Sequence, residues 1–128
     1  MEKKTKLGMG LDLLLTANDA RNDIRRDERN ITQAQSLFEK AVAEDENGRV
    51  FEAYYLYRCV MEVLESQPVV KNYAWASLMS QTCNNIAVIL YENNEIQGAY
   101  NFLLKAVNIS PDNKTARGNL EQVGCDLP

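Results

Sequence analysis

From Thr32 onward the apolar residues recur at three- and four-residue intervals, the spacing of a helix with one buried face. Ala34, Leu37, Phe38, Ala41 and Val42 form a first stripe that fades at Glu44-Asp45-Glu46-Asn47. Gly48 closes it, because only glycine enters the left-handed region without a Cβ penalty. A second helix is predicted from about Arg49 to Ser66, with Val50, Ala53, Tyr57, Val60, Met61 and Leu64 inward. Phe51, Tyr55 and Cys59 add apolar surface beside that face, which predicts a helix covered on two sides. Pro68 ends it.

The third helix is predicted from about Val69 to Glu92, with Trp75, Leu78, Met79, Thr82, Ile86, Val88, Ile89 and Leu90 on its apolar face. Asn93-Asn94 makes the next turn, and Ala99, Phe102, Leu103, Ala106 and Val107 face inward from a fourth helix over about Glu95–Asn108. Ser110-Pro111-Asp112-Asn113 is a stop followed by a cap, opening a short fifth helix to about Val123. Short connections make antiparallel neighbours, so the expected fold is all-α: an antiparallel helix-turn-helix stack of about five helices.

Before Thr32 the pattern breaks. Residues 18–30 carry only Ala20 and Ile24 as apolar side chains among charged residues and asparagines, and so have no face to bury. The chain divides accordingly into a mobile arm, residues 1–30, and a helical domain, residues 31–128. Charge follows the same division. The whole chain has 14 Lys and Arg against 18 Asp and Glu, net -4. The arm is slightly basic and the domain acidic, so neither nucleic acid nor a membrane is an expected partner. No run approaches the roughly 20 apolar residues of a membrane span.

The chain has no histidine, which closes the Ser-His-Asp and Cys-His nucleophile systems and His-ligated zinc. Aligning Gly48 with the glycine of a calcium loop puts Ala43 and Tyr54 at ligand positions, so no EF-hand is present. No catalytic constellation emerges, no cofactor or metal is expected, and the chain is not read as an enzyme. Three cysteines without a C-x-x-C pair read as reduced thiols of a cytoplasmic protein, with Cys59 and Cys83 as small core residues.

A repeat emerges when Ser80 is taken as the first position of a 34-residue unit. Cys83, Ile86, Ala87 and Leu90 then occupy the apolar positions of a first helix, and Ala99, Leu103 and Ala106 those of a second, with Pro111 at the junction. The run Asn85-Ile86-Ala87 … Tyr91 … Asn94 … Ala99 … Leu103 … Ala106 … Pro111-Asp112-Asn113 resembles a tetratricopeptide repeat. A divergent earlier copy starts at Ala34, with Lys40 and Glu65 departing from the pattern. It lies 46 residues upstream, which calls for about three extra helical turns. The resemblance implies a superhelix and a non-enzymatic adaptor that holds a protein or peptide in a groove lined by the first helix of each unit.

Groove positions implied by the clear unit are Gln81, Asn84, Asn85, Val88 and Tyr91; the weaker unit contributes Gln35, Phe38, Val42 and Asp45, and the last helix Thr115, Gly118 and Gln122. Asn84 and Asn85 suit hydrogen bonding to a peptide backbone, although all of these residues equally suit solvated helix positions. The basic set with which chaperone-binding members clamp a terminal carboxylate is absent. Two units fall short of the about three a solenoid usually needs, so self-association into a homo-oligomer is also expected.

The arm holds a second motif. Lys6-Leu7-Gly8-Met9-Gly10-Leu11 followed by Leu13-Leu14-Leu15 resembles the N-terminus with which ParB-type partition proteins engage a ParA/MinD-type ATPase, with Met9 where a basic residue is common. That resemblance implies a docking tail made of Lys6, Leu7, Gly8, Gly10, Leu11 and Leu14. The other reading of the same leucines is a segment that docks on the domain's own surface.

Overall fold

Six alanines, Ala34, Ala41, Ala53, Ala99, Ala106 and Ala116, are wholly out of solvent. A methyl side chain reaches that state only when neighbouring backbones lie close, so these positions mark tight helix crossings. The computed structural model describes residues 28–66 and 72–128, and among the described residues there are five helices and no strand. They are α1 over residues 28–46, α2 Val50–Glu65, α3 Tyr73–Glu92, α4 Ile96–Ile109 and α5 Lys114–Cys125. Helix α1 includes residues 28–30, which the hydropathy pattern leaves in the arm. Ile31 and Ala34 are packed, and a helix extends past a packed turn at little cost.

The α1–α2 and α3–α4 turns are built alike. Gly48 has φ +78° and Asn94 φ +65°, each the left-handed residue just past a helix end. Arg49 N–H donates to Glu44 O (2.8 Å) and Gly48 N–H to Asp45 O (3.0 Å). Glu95 N–H donates to Leu90 O (2.8 Å) and Asn94 N–H to Tyr91 O (3.0 Å). Both are Schellman caps, which satisfy the last carbonyls and reverse the chain. The residues entering α2 and α4 also match, Arg49 at φ -89°, ψ 74° and Glu95 at φ -91°, ψ 69°. The two turns lie 46 residues apart, the same offset that separates the buried pairs Ala41/Ala87, Ala53/Ala99 and Tyr57/Leu103.

The start of α3 differs from the expectation. Asn72 is its N-cap, with Oδ1 accepting from Trp75 N–H at 2.9 Å, so the helix opens at Tyr73 and not at Val69. The residues between, with Pro68, lie outside the described ones. The two turns of α3 that precede Ser80 carry the buried Trp75, Leu78 and Met79. Trp75 Nε1–H donates to Leu64 O at 2.9 Å, filling one of the carbonyls that end α2 and locking the first hairpin to the second.

Helix α3 is central: it packs against α2, α4 and α5, and α4 packs against α5. Tyr57, Val60, Leu64, Met79, Cys83, Ile86 and Leu103 fill the core between the helices. At the C-terminal end Asn113 caps α5, its Oδ1 accepting from Ala116 N–H (3.1 Å) and its Nδ2 donating to the buried Ser80 Oγ (2.9 Å). Ser80 Oγ–H in turn donates to Ala106 O at 2.8 Å. One cap side chain thereby fixes α5 to both α3 and α4.

The second apolar stripe of α2 has no cover among the described residues. Phe51 is 83% and Tyr55 68% exposed, and only Cys59 is half-buried. Among the described residues the expected cover on the second side is not seen: the core claims one face of α2, and the helices that follow it in sequence add nothing to the other.

Candidate functional site

Helices α1, α3 and α5 line one side of the molecule, and α3 separates two clefts there. One, of about 480 Å³, lies between α3 and α5 and is walled by Tyr73, Ser77, Gln81, Asn84, Asn113 and Lys114. The other, of about 470 Å³, lies between α1 and α3, where Gln35, Phe38 and Leu78 join Tyr73, Ser77 and Gln81. Tyr73, 74% exposed, stands at the end of the ridge between them. Along that ridge Gln81 Nε2 donates to Ser77 Oγ at 3.0 Å. A smaller cleft of about 280 Å³ continues the face beyond Asn85, with Val42, Asp45, Glu46 and Val88 around it.

A line of hydrogen bonds crosses this face. Asn119 Nδ2 donates to Asn84 Oδ1 (2.9 Å), and Asn84 Nδ2 to Asn85 Oδ1 (3.4 Å). Asn85 Nδ2 donates to the Tyr57 hydroxyl (3.2 Å), which donates to Asp45 Oδ2 (3.4 Å). Five side chains from α5, α3, α2 and α1 are tied in sequence, four donating in turn and Asp45 accepting at the end. An amide offers two N–H donors and two acceptor lone pairs. Asn84 and Asn85 each spend one of each on this line and keep one of each.

The electrostatics are muted. Burial pushes the Tyr57 phenol up to about 12, with the bond donated by Asn85 opposing and Asp45 reinforcing the shift. Tyr57 therefore stays a neutral donor at any physiological pH. Phe38 packs on its ring at 5.8 Å between centroids. The cleft between α3 and α5 holds one charge of each sign, Asp112 and Lys114, and Asp112 Oδ1 accepts from Ser110 Oγ–H at 2.5 Å.

Of the residues named from the sequence, Gln81, Asn84 and Asn85 come together on one cleft, and Val88 lies on the adjoining one with Val42 and Asp45. Tyr91 stands apart from these clefts, its hydroxyl donating to Asp126 near the C-terminus, a bond that holds its pKa above the ordinary value. Gln35 and Phe38 line the α1–α3 cleft and Thr115 the α3–α5 cleft, while Gly118 and Gln122 are exposed on α5. Tyr57 and Asn119 belong to the hydrogen-bonded line although sequence reasoning placed neither in the groove. Tyr57 sits on a core stripe, and no spacing rule tells which end of its ring meets a polar neighbour. The tail residues Lys6, Leu7, Gly8, Gly10, Leu11 and Leu14 lie outside the described residues.

Among the described residues no three His, Cys, Asp or Glu side chains cluster in a way that would hold a metal ion, and no helix is long and apolar enough to cross a membrane. No family model, curated protein or solved structure matches the chain.

Proposed function

We propose that the chain is a non-enzymatic, tetratricopeptide-like adaptor that binds an extended segment of another protein across α1, α3 and α5. The observation that carries this reading is the pair Asn84 and Asn85, whose amides are held in place by one set of hydrogen bonds and keep a second set for a ligand. Side chains already fixed lose little entropy on binding, and a donor and acceptor side by side suit the alternating groups of a peptide backbone. The similar turns of the two hairpins support a repeated unit. Among the described residues, Tyr55, Tyr57, Cys83 and Tyr91 all have their pKa values pushed upward, the direction that quiets a nucleophile.

Peptide display on the immobilised full-length chain tests the reading. Selected peptides should lose at least tenfold in affinity on Ser77→Lys with Gln81→Lys, two partly or fully exposed positions whose change leaves the helicity intact. Unchanged affinity in that variant refutes a groove ligand.

The alternative function, regulation of a ParA/MinD-type ATPase through the arm, rests on the Lys6–Leu15 motif. Its test is ATP hydrolysis by a cognate ATPase with the full-length chain, with residues 1–17 removed, and with Leu11→Ala; equal rates and equal binding in all three end it.

A further inference from the structure

Among the described residues, the largest exposed apolar side chains outside the proposed groove are Phe51 and Tyr55, one turn apart on α2. They point opposite to the buried Ala53, Tyr57 and Val60, with Cys59 half-buried in the next turn. Glu52 and Glu62 are exposed on the same side, and the Tyr55 phenol is held above its ordinary pKa by its contact with Cys59 first and by Glu62 last. Arg58, the nearby cation, is turned away onto the Phe102 ring at 5.7 Å. The result is an aromatic stripe with an acidic flank, an arrangement that calls for an occupant with apolar side chains and lysines.

We propose that the chain's own arm is that occupant, with Leu11, Leu14 and Leu15 covering Phe51 and Tyr55 and with Lys3, Lys4 and Lys6 set toward Glu52 and Glu62. Leu14 and Leu15 follow Leu11 by three and four residues, a spacing that would share one side of a helical turn. Reach is ample. Residue 28, where α1 enters the described part of the chain, lies toward the Glu65 end of α2, because the α1–α2 turn makes these helices antiparallel and brings Phe38 onto Tyr57. Helix α2 has 16 residues, about 24 Å. The residues from Leu15 to 28 span up to about 43 Å when extended.

A second copy of the chain fits the stripe less well. Two aromatic rings offer roughly 300–400 Å², well under the about 800 Å² per partner of a standard interface. An isologous pairing would also set Glu52 and Glu62 against themselves. A covalently joined segment needs far less area, since its effective concentration is in the millimolar range. This docking is independent of the groove reading, and it would withdraw Leu11 and Leu14 from any outside partner of the arm.

Disulfide trapping tests it in the full-length protein. Thr16→Cys introduces a thiol beside the leucines, and two native thiols compete for it: half-buried Cys59 on the stripe and exposed Cys125 at the far end of α5. Under oxidised glutathione at low protein concentration, the new thiol should pair with Cys59 of the same chain at least tenfold faster than with Cys125. Adding Phe51→Glu and Tyr55→Glu, both at exposed positions, should remove that preference. Equal pairing with the two thiols overturns the proposal. So does pairing with Cys59 only between chains, which would give the stripe to a second copy.

Discussion

The face formed by α1, α3 and α5 and the face formed by α2 and α4 are made from helices of one hairpin type, yet they are stabilised differently. On the first, hydrogen bonds run from side chain to side chain through Asn119, Asn84, Asn85, Tyr57 and Asp45. On the second, contacts between α2 and α4 are made by long side chains at the surface: Arg58 on Phe102, and Lys105 to Glu65 at 2.9 Å. Short amides bonded to one another hold a shape; long charged chains in water hold it weakly. The proposed groove would gain from the first kind of contact, and the proposed docking of the arm on the outer face from the second.

The most demanding test of this contrast compares Leu103→Ala with Phe51→Ala in denaturant unfolding. Leu103 is 1% exposed and its truncation should cost about 2–5 kcal/mol through lost contacts and a cavity. Phe51→Ala, at a position the described helices leave exposed, should cost about 1 kcal/mol or less even with the arm's contact counted. A cost for Phe51→Ala equal to that of Leu103→Ala would make the outer face part of the core and abolish the distinction.

A smaller effect, about 1–2 kcal/mol, is expected for Tyr57→Phe, which leaves Asn85 and Asp45 without their shared hydroxyl. The same variant carries a pH signature. The Tyr57 pKa is raised in the folded chain to about 12 from 10.0, so its contribution is fully present below pH 10 and is lost as pH rises through about 12. Tyr57→Phe should therefore lose less stability than the parent between pH 10 and pH 12; equal losses would show that the hydroxyl is not held as described.

Asn119→Ala should cost about 1 kcal/mol by removing the donor to Asn84, with no change in Cys83 protection. Burial pushes the Cys83 thiol up to about 11, and it should resist a thiol reagent near neutral pH in this variant as in the parent. If Asn119→Ala exposes Cys83, the line of amides is holding the core and not only the groove.

Smallest of all is Lys105→Met, which should change stability by no more than about 0.5 kcal/mol, and by less at high salt, since both partners of the ion pair are about half exposed. A larger loss would put the outer face on the same footing as the groove.

Helix number and turn positions were legible because their causes are local. Gly48 and Asn94 are residues that tolerate a left-handed backbone, and Asn113 is a strong cap, so each marks its turn without reference to the rest of the chain. Asn72 does the same work at the head of α3, but the apolar Val69 and Val70 before it carried the helical pattern too far back. The clefted face of α1, α3 and α5 was legible only in part. Register in the proposed repeat singles out Gln81, Asn84 and Asn85, whereas Asn119 is joined to Asn84 across 35 residues of chain and the Tyr57 hydroxyl to Asn85 across 28. No local spacing rule reaches that far.

By itself, then, the sequence determined an all-helical chain with buried small residues at regular intervals, sharp turns at Gly48 and Asn94, and no histidine chemistry. Those properties follow from backbone sterics, periodicity and composition, which act within a few residues. Only the tertiary structure decided which of two apolar stripes on α2 enters the core, that Asn84 spends half its bonds on Asn85 and Asn119, and that Tyr57 ends its ring against Asp45. Each of these depends on what a distant helix brings within 3–4 Å, a matter of packing that identical local patterns leave open.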